Sequence, residues 1–307
     1  MGKNKIPIAA LLCLILFCLT AGCGARAQKG AESSFTLEDL ERFNRIDAVL
    51  EEYSSVRTQS KYYDFELPGG GRADFRQTTV FVKGNSGLNM YTDTDFGYEY
   101  AIEGRNVFHK DGGVVFITLF FDDGYYEEAY LPTITEWFAY YPSDGEEILS
   151  VSVADGTRTM VTNSRASVED DFEMWGLPDG TIETNYKLDV SSGFLLQDVS
   201  YLITDDGNRR LLAEMEVLYG KDDFFTPPEY VGLCKNISQT RMVRFVRDPN
   251  TPQEKIFSFD VPKGVGISPA TMEAYDYFTN AECTIMYDWN TGDYPDELTL
   301  YMKQVED

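Results

Sequence analysis

The 307-residue chain carries 51 acidic and 26 basic side chains, a formal charge of −25. This excess argues against nucleic acid as a partner, because phosphate binding needs clustered Lys and Arg. It also argues against peripheral adhesion to anionic lipid heads, and the length allows one large domain or two modest ones.

Lys3 and Lys5 precede an uncharged stretch from Ile6 to Gly22, which closes as Leu19-Thr20-Ala21-Gly22-Cys23. A basic start, an apolar core, small residues and then Cys form the layout of a bacterial lipoprotein signal peptide. On this reading residues 1–22 are removed, and Ala21 and Gly22 give a peptidase access to the backbone. The Cys23 thiol takes a diacylglycerol, and its palmitate-type chains become the membrane anchor. Loss of Lys3 and Lys5 takes the formal charge to −27, so acyl chains must hold a body that the membrane repels. Two chains are enough for stable anchoring where one is not. The expected location is extracytoplasmic, on the outer face of the bacterial cytoplasmic membrane, which is the cell surface in a Gram-positive cell envelope. Two alternatives stay open. Ala25-Arg26-Ala27 also fits an ordinary A-x-A cleavage site, and an uncleaved span would be at the short limit for crossing a bilayer.

Residues 23–34 are small and polar and read as a tether. Phe35 to Val56 reads as one amphipathic helix, with Leu37, Leu40, Phe43, Ile46, Val49 and Leu50 at helical spacing. Thr36 and Asp39 supply a short form of the capping signal. From Asp74 the pattern turns to β: Thr78–Val82, Leu88–Tyr91, Tyr98–Ile102, Asn106–His109 and Val114–Phe121, punctuated by Gly and Asp-Gly turns. Pro132–Tyr141 and Ser167–Trp175 read as short helical interruptions, with strands at Ile148–Val153 and Arg158–Thr162 between them. Thr184–Val190, Phe194–Ile203 and Leu211–Tyr219 form a three-stranded meander that ends at Pro227-Pro228. Residues 236–307 read as a separate small β module, with strands at Arg241–Val246, Lys255–Val261 and Leu298–Met302. The expected fold class is mainly β with a few helices (α+β): a curved open antiparallel sheet, or half-barrel, wrapped on an N-terminal helix over residues 35–230, followed by that module.

The segment Asn185-Tyr186-Lys187-Leu188-Asp189-Val190-Ser191-Ser192-Gly193-Phe194 resembles the strand–turn–strand element Y-x-[ILV]-D-x-x-[ST]-G of the lipoprotein-carrier superfamily. Glu216 to Tyr219, running on to Pro227, is similar to the end of that family's meander. The family comprises the LolA/LolB carriers and the LppX-like mycobacterial lipoproteins. The resemblance implies a sheet that wraps a helical plug and holds acyl chains, and no family residue roles carry over. Val243-Arg244-Phe245, Val261-Pro262-Lys263-Gly264 and Leu298-Thr299-Leu300-Tyr301 resemble small repeat modules of bacterial surface proteins, without their usual Gly-Trp core motif. That likeness implies adhesion or spacing.

Chemistry has few candidates. A nucleophilic triad would have to use the one histidine, His109, and there is no G-x-S-x-G elbow. Zinc would have only His109, Cys234 and Cys283 to draw on; the spacing of the two cysteines does not decide whether they pair, and the reading leans against a bridge. Asp93-Thr94-Asp95, Asp122-Asp123-Gly124 and Asp205-Asp206-Gly207 lack the spacing of a calcium loop and read as turns. No pair of carboxylates stands out for hydrolysis. No catalytic residue, cofactor or metal is therefore expected. The remaining signal is aromatic, with 20 Tyr and 20 Phe. Tyr98, Tyr100, Phe116, Phe120, Tyr186 and Tyr201 are the candidates to line an apolar hollow for a lipid-like ligand. The first alternative is a filled core on a module that meets an envelope protein or glycan. The second is a carboxylate-dependent hydrolase.

Overall fold

The computed structural model describes residues 35–66, 71–84, 87–95, 99–111, 113–122, 124–130, 145–166, 180–220, 229, 231, 239–289 and 295–305. Cys23, the tether, Tyr98, Cys234 and the expected helices at 132–141 and 167–175 lie outside these residues. Among the described residues the chain is mostly β, and its sheets are open and curved and do not close into a barrel.

It divides into two compact units: residues 1–83, 94–96 and 134–224, and residues 84–93, 97–133 and 225–307. They interleave along the chain and do not follow the expected split into 35–230 and 236–307.

In the first unit the expected N-terminal helix is two helices, α1 (Leu37–Phe43) and α2 (Ile46–Glu52). Thr36 opens α1 with a full capping box. The Asp39 amide donates to Thr36 Oγ1 at 3.1 Å, and the Thr36 amide donates to Asp39 Oδ2 at 2.9 Å. Asp39 thus does the work usually given to the longer Glu or Gln. Thr36→Ala is expected to cost about 1 kcal/mol of stability, read as a lower urea midpoint at unchanged slope.

The break between the helices comes from Asn44, which is fully buried. Its side-chain Nδ2 donates to the Leu40 carbonyl at 2.8 Å, and its Oδ1 accepts the Leu195 amide at 2.6 Å. The side chain thereby closes α1 and ties it to the sheet. The helical period resumes at once, and α2 buries Ile46, Val49 and Leu50.

Seven strands follow: β1 (Ser55–Glu66), β2 (Arg72–Gly84), β7 (Glu147–Ala154), β8 (Thr157–Ala166), β9 (Gly180–Asp189), β10 (Leu195–Thr204) and β11 (Arg209–Gly220). They lie in the order β2-β1-β11-β10-β9-β8-β7, antiparallel throughout. The expected meander is β9 to β11. Its first turn is set by Asp189, whose Oδ1 accepts the amides of Ser191 at 3.0 Å and Ser192 at 2.8 Å. Hydrogen bonds from these two serines hold the carboxyl below its usual range. Gly193 supplies the left-handed residue, φ 78°. β1 runs through a segment in which the sequence predicts no strand, and its first two residues, Ser55 and Val56, fall at the end of the expected helix; it joins the meander to β2.

The second unit holds β3 (Gly87–Thr94), β4 (Glu99–Glu103), β5 (Asn106–Asp111) and β6 (Val114–Phe120), then a π-helical turn at Tyr125–Tyr130. From the C-terminal segment come β12 (Thr240–Arg247), β13 (Lys255–Pro262), β14 (Gly266–Ala270), β15 (Tyr275–Phe278) and β16 (Glu297–Gln304). Four of these form a sheet of their own, β13-β12-β16-β15, in which β12 and β16 are parallel. The fifth, β14, leaves it and pairs in parallel with β6. The expected self-contained module therefore gives one strand away. Phe121 anchors this unit's core, its ring edge-on to Phe245, Phe257 and Phe259 at 4.8 to 5.4 Å. Arg241 is buried and donates through Nη2 to the Val265 carbonyl at 2.9 Å.

Candidate functional site

The seven-stranded sheet of the first unit has two chemically different faces. Residues directly opposite in neighbouring strands share a face, so the register sorts them. One row reads Gln77, Ser60, Met215, Asp198, Tyr186, Met160 and Val151, from β2 to β7. The adjacent row reads Phe75, Tyr62, Ala213, Ser200, Thr184, Thr162 and Ile148. Tyr219 is on this face too, and its ring lies 5.0 Å from that of Tyr53, just after α2. This inner face therefore lies on the helical side.

In these two rows Asp198 is the only charged residue. The other face carries Lys61, Glu214, Glu216, Glu183 and Lys187. Arg209 joins Glu183 there at 2.6 Å. In a chain of 51 acids these two rows hold one charged residue.

That face is not hydrocarbon throughout. Thr184 and Ser200 share a hydrogen bond at 3.0 Å, and Tyr62 stacks on Phe75 at 4.5 Å. Asp198 sits among them, half-buried and, among the described residues, without an ion pair. Desolvation pushes its carboxyl up to about 7, against the pull of the Met215 amide. Burial first, then the Asp198 charge, pushes Tyr62 up to about 12. Burial, Glu146 and Asp198, in that order, push Tyr186 up as well. Below neutral pH the whole strip is uncharged: thioethers and rings with a line of hydroxyls and one carboxylic acid. Such a surface can take an apolar chain and give hydrogen bonds to an ester or hydroxyl on it.

The residues expected from sequence divide between the units. Tyr186 is buried on the inner face just described. Tyr201 is on the opposite face, under the Arg209 guanidinium at 3.6 Å. It pairs with Glu183, on the charged face, and so does not line a hollow with Tyr186. In the second unit Tyr100, His109 and Phe116 stand in one row across β4, β5 and β6. Phe116 stacks on His109 at 4.8 Å, nearly parallel. Phe120 meets Tyr126 and Tyr130 edge-on at 4.9 Å each, and the Tyr100 and Tyr130 hydroxyls hydrogen-bond. Tyr100 and Phe120 thus pack on the π-helical turn, while Phe116 packs on His109. Burial pushes the His109 imidazole down to about 4, so it is neutral at physiological pH. Among the described residues no cluster of His, Cys, Asp and Glu is placed to hold a metal ion.

Sequence reasoning missed Asp198, Tyr62, Met160 and Met215. In β10 the apolar residues Val199 and Tyr201 alternate with Asp198 and Ser200, so the strand reads as though Asp198 faces water. The register puts it on the inner face.

No protein-family model matches the chain, and no curated protein matches it. Solved structures do. LprF from Mycobacterium bovis is 10% identical, with 64% of this chain and 99% of that one covered at a TM-score of 0.32. The lipoprotein LppX from Mycobacterium tuberculosis is 10% identical, with 61% and 96% covered at 0.26. A LolA-superfamily protein from Nitrosomonas europaea is 10% identical, with 64% and 97% covered at 0.24. The chain is similar to proteins of the LolA and LppX type, at identities that transfer no residue.

Proposed function

We propose that the protein is a lipid-anchored, extracytoplasmic binding protein that holds a hydrophobic, lipid-like ligand against the inner face of its seven-stranded sheet, without a covalent step. One observation carries this reading. In a strongly acidic chain, the two inner rows hold a single charged residue, Asp198, and that residue is protonated below about pH 7. The half-buried side chains there, Tyr62, Ala213 and Met215, supply binding by burial, at about 25 cal/mol per Å², beside Phe75, Met160 and Tyr186, which are already buried. The hydroxyls of Thr184 and Ser200 orient the polar part of the ligand. Cys23, acylated after signal removal, keeps the protein at the membrane that supplies the ligand.

Native mass spectrometry of residues 28–307, followed by organic extraction and lipid analysis, tests this. The expected result is a stoichiometric co-purifying lipid, lost when the half-buried Met215 is replaced by Glu. A clean apo mass that stays unchanged after incubation with membrane lipids overturns the reading. It would favour a filled core and a surface-interaction role.

A further inference from the structure

Arg247 and Lys255 stand directly opposite each other at the end of the β12–β13 pair. Like charges placed this way repel, and this chain has about twice as many acids as bases to set beside them. Both side chains nevertheless line one cleft of about 270 Å³ in the second unit. Lys255 makes no ion pair among the described residues. Arg247 lies over the Phe257 ring at 5.9 Å, with Asp248 3.7 Å away, and its Nε is buried without a hydrogen bond.

The two acids of the cleft wall are engaged by their own neighbours. Glu273 accepts the Tyr275 hydroxyl at 2.5 Å, and Asp122 accepts the Gly124 amide at 2.8 Å. The rest of the lining is mixed, with hydroxyls from Tyr125, Thr271 and Tyr275 beside apolar side chains. Phe257 and the buried Met302 form part of it. Met272 is 76% exposed, a soft, adaptable side chain free to fold over an occupant. At about 30 Å³ per water-sized group, the space takes roughly nine such groups.

The geometry points to a binding site for an amphiphile with an anionic head: a carboxylate or phosphate on Arg247 and Lys255, and a short apolar chain against Phe257, Met302 and Met272. The anion relieves the opposed cations, and a guanidinium fork suits either head. This site is separate from the inner face of the first unit.

The test uses the full chain in phosphatidylcholine nanodiscs, labelled with [methyl-13C]methionine. It is titrated in parallel with octyl phosphate, octanoate, octyl glucoside and inorganic phosphate. The Met272 and Met302 methyl signals are expected to shift saturably with octyl phosphate or octanoate and to stay still with the neutral glucoside. Arg247→Gln is expected to weaken that binding about tenfold, the loss of one charge-assisted contact, and Lys255→Gln to weaken it less. The stronger of the two anionic probes assigns the head as phosphate or carboxylate. Equal shifts with octyl glucoside, or full binding by both variants, overturn the assignment of an anionic head. Inorganic phosphate acting as strongly as octyl phosphate overturns the amphiphile. Shifts at Met160 and Met215 instead report the inner face of the first unit, so failure at either site is told apart from failure at the other.

Discussion

Asp198→Asn is expected to stabilise the protein at pH 8 by about 2–4 kcal/mol. The folded carboxyl titrates near 7, against an ordinary value of 3.8, and each tenfold change in proton affinity corresponds to about 1.4 kcal/mol. Between these two values the folded chain holds a proton that the unfolded chain has released, so stability falls as pH rises through the window. The penalty is absent below about pH 4 and complete above about pH 7. Partial solvent access at the site puts the effect below the full product. Asn keeps an acceptor for the Met215 amide and cannot ionise, so it removes the penalty without emptying the space. Urea unfolding at pH 8 and pH 5 checks this, with a clearly smaller gain at pH 5. A variant no more stable than the parent at pH 8 would mean that Asp198 is solvated. His109 acts in the opposite direction. Its folded value is depressed to about 4 from 6.5, so its contribution is complete above pH 6.5 and is lost as pH falls toward 4. With Asp198 replaced, the His109 slope is the one of the two that remains.

Asn44→Ala is expected to cost about 3–5 kcal/mol. The deletion removes the hydrogen bonds to the Leu40 carbonyl and the Leu195 amide, both buried and on different elements. Each buried group left without a partner costs about 1–3 kcal/mol. The small cavity adds to this. Asn44→Asp is a sharper probe. It keeps the acceptor for Leu195, loses the donor to Leu40 and buries a charge, so it should be at least as damaging at pH 7 and should recover as pH falls. Thermal unfolding gives the stability, and hydrogen exchange at the Leu195 amide gives the location. Loss of protection there, ahead of global unfolding, is the expected signature. Undiminished protection would show that β10 does not depend on the tie to α1.

Much of the strand content is legible in the sequence where alternation is strong and turns are polar. Val114 to Phe120 and the β9–β11 meander read out close to their observed limits. β1 does not. Its inward residues are Val56, Thr58, Ser60 and Tyr62, and its outward ones include Arg57, Gln59 and Lys61. Hydroxyls inside and polar groups outside leave almost no contrast in hydropathy, so a strand at the heart of the sheet looks like a loop. The same cause hides Asp198. An inner face built from Ser, Thr and Tyr defeats any rule that sends polar residues outward. The helix is visible in the sequence and its break is not, because Asn44 sits in an otherwise unbroken apolar period and acts through a residue about 150 positions away. Ring type alone points to Tyr201 and overlooks its place in β10, where a register shift lies between Ser200 and Tyr201. The parallel pairings of β12 with β16 and of β6 with β14 leave no local mark in the sequence.

The β6–β14 pairing sets the order in which the chain can become a finished protein. Phe116 meets Gly266, so about 150 residues of chain must be available before that ladder closes, and contacts of such separation form slowly. Until β14 is available, β6 waits with one hydrogen-bonding edge bare, a template for any neighbouring strand. A chain that stops short of β14 keeps that edge for good. The last quarter of the sequence therefore acts as a quality check on the middle: premature termination should yield aggregates and proteolytic fragments rather than a shorter working protein.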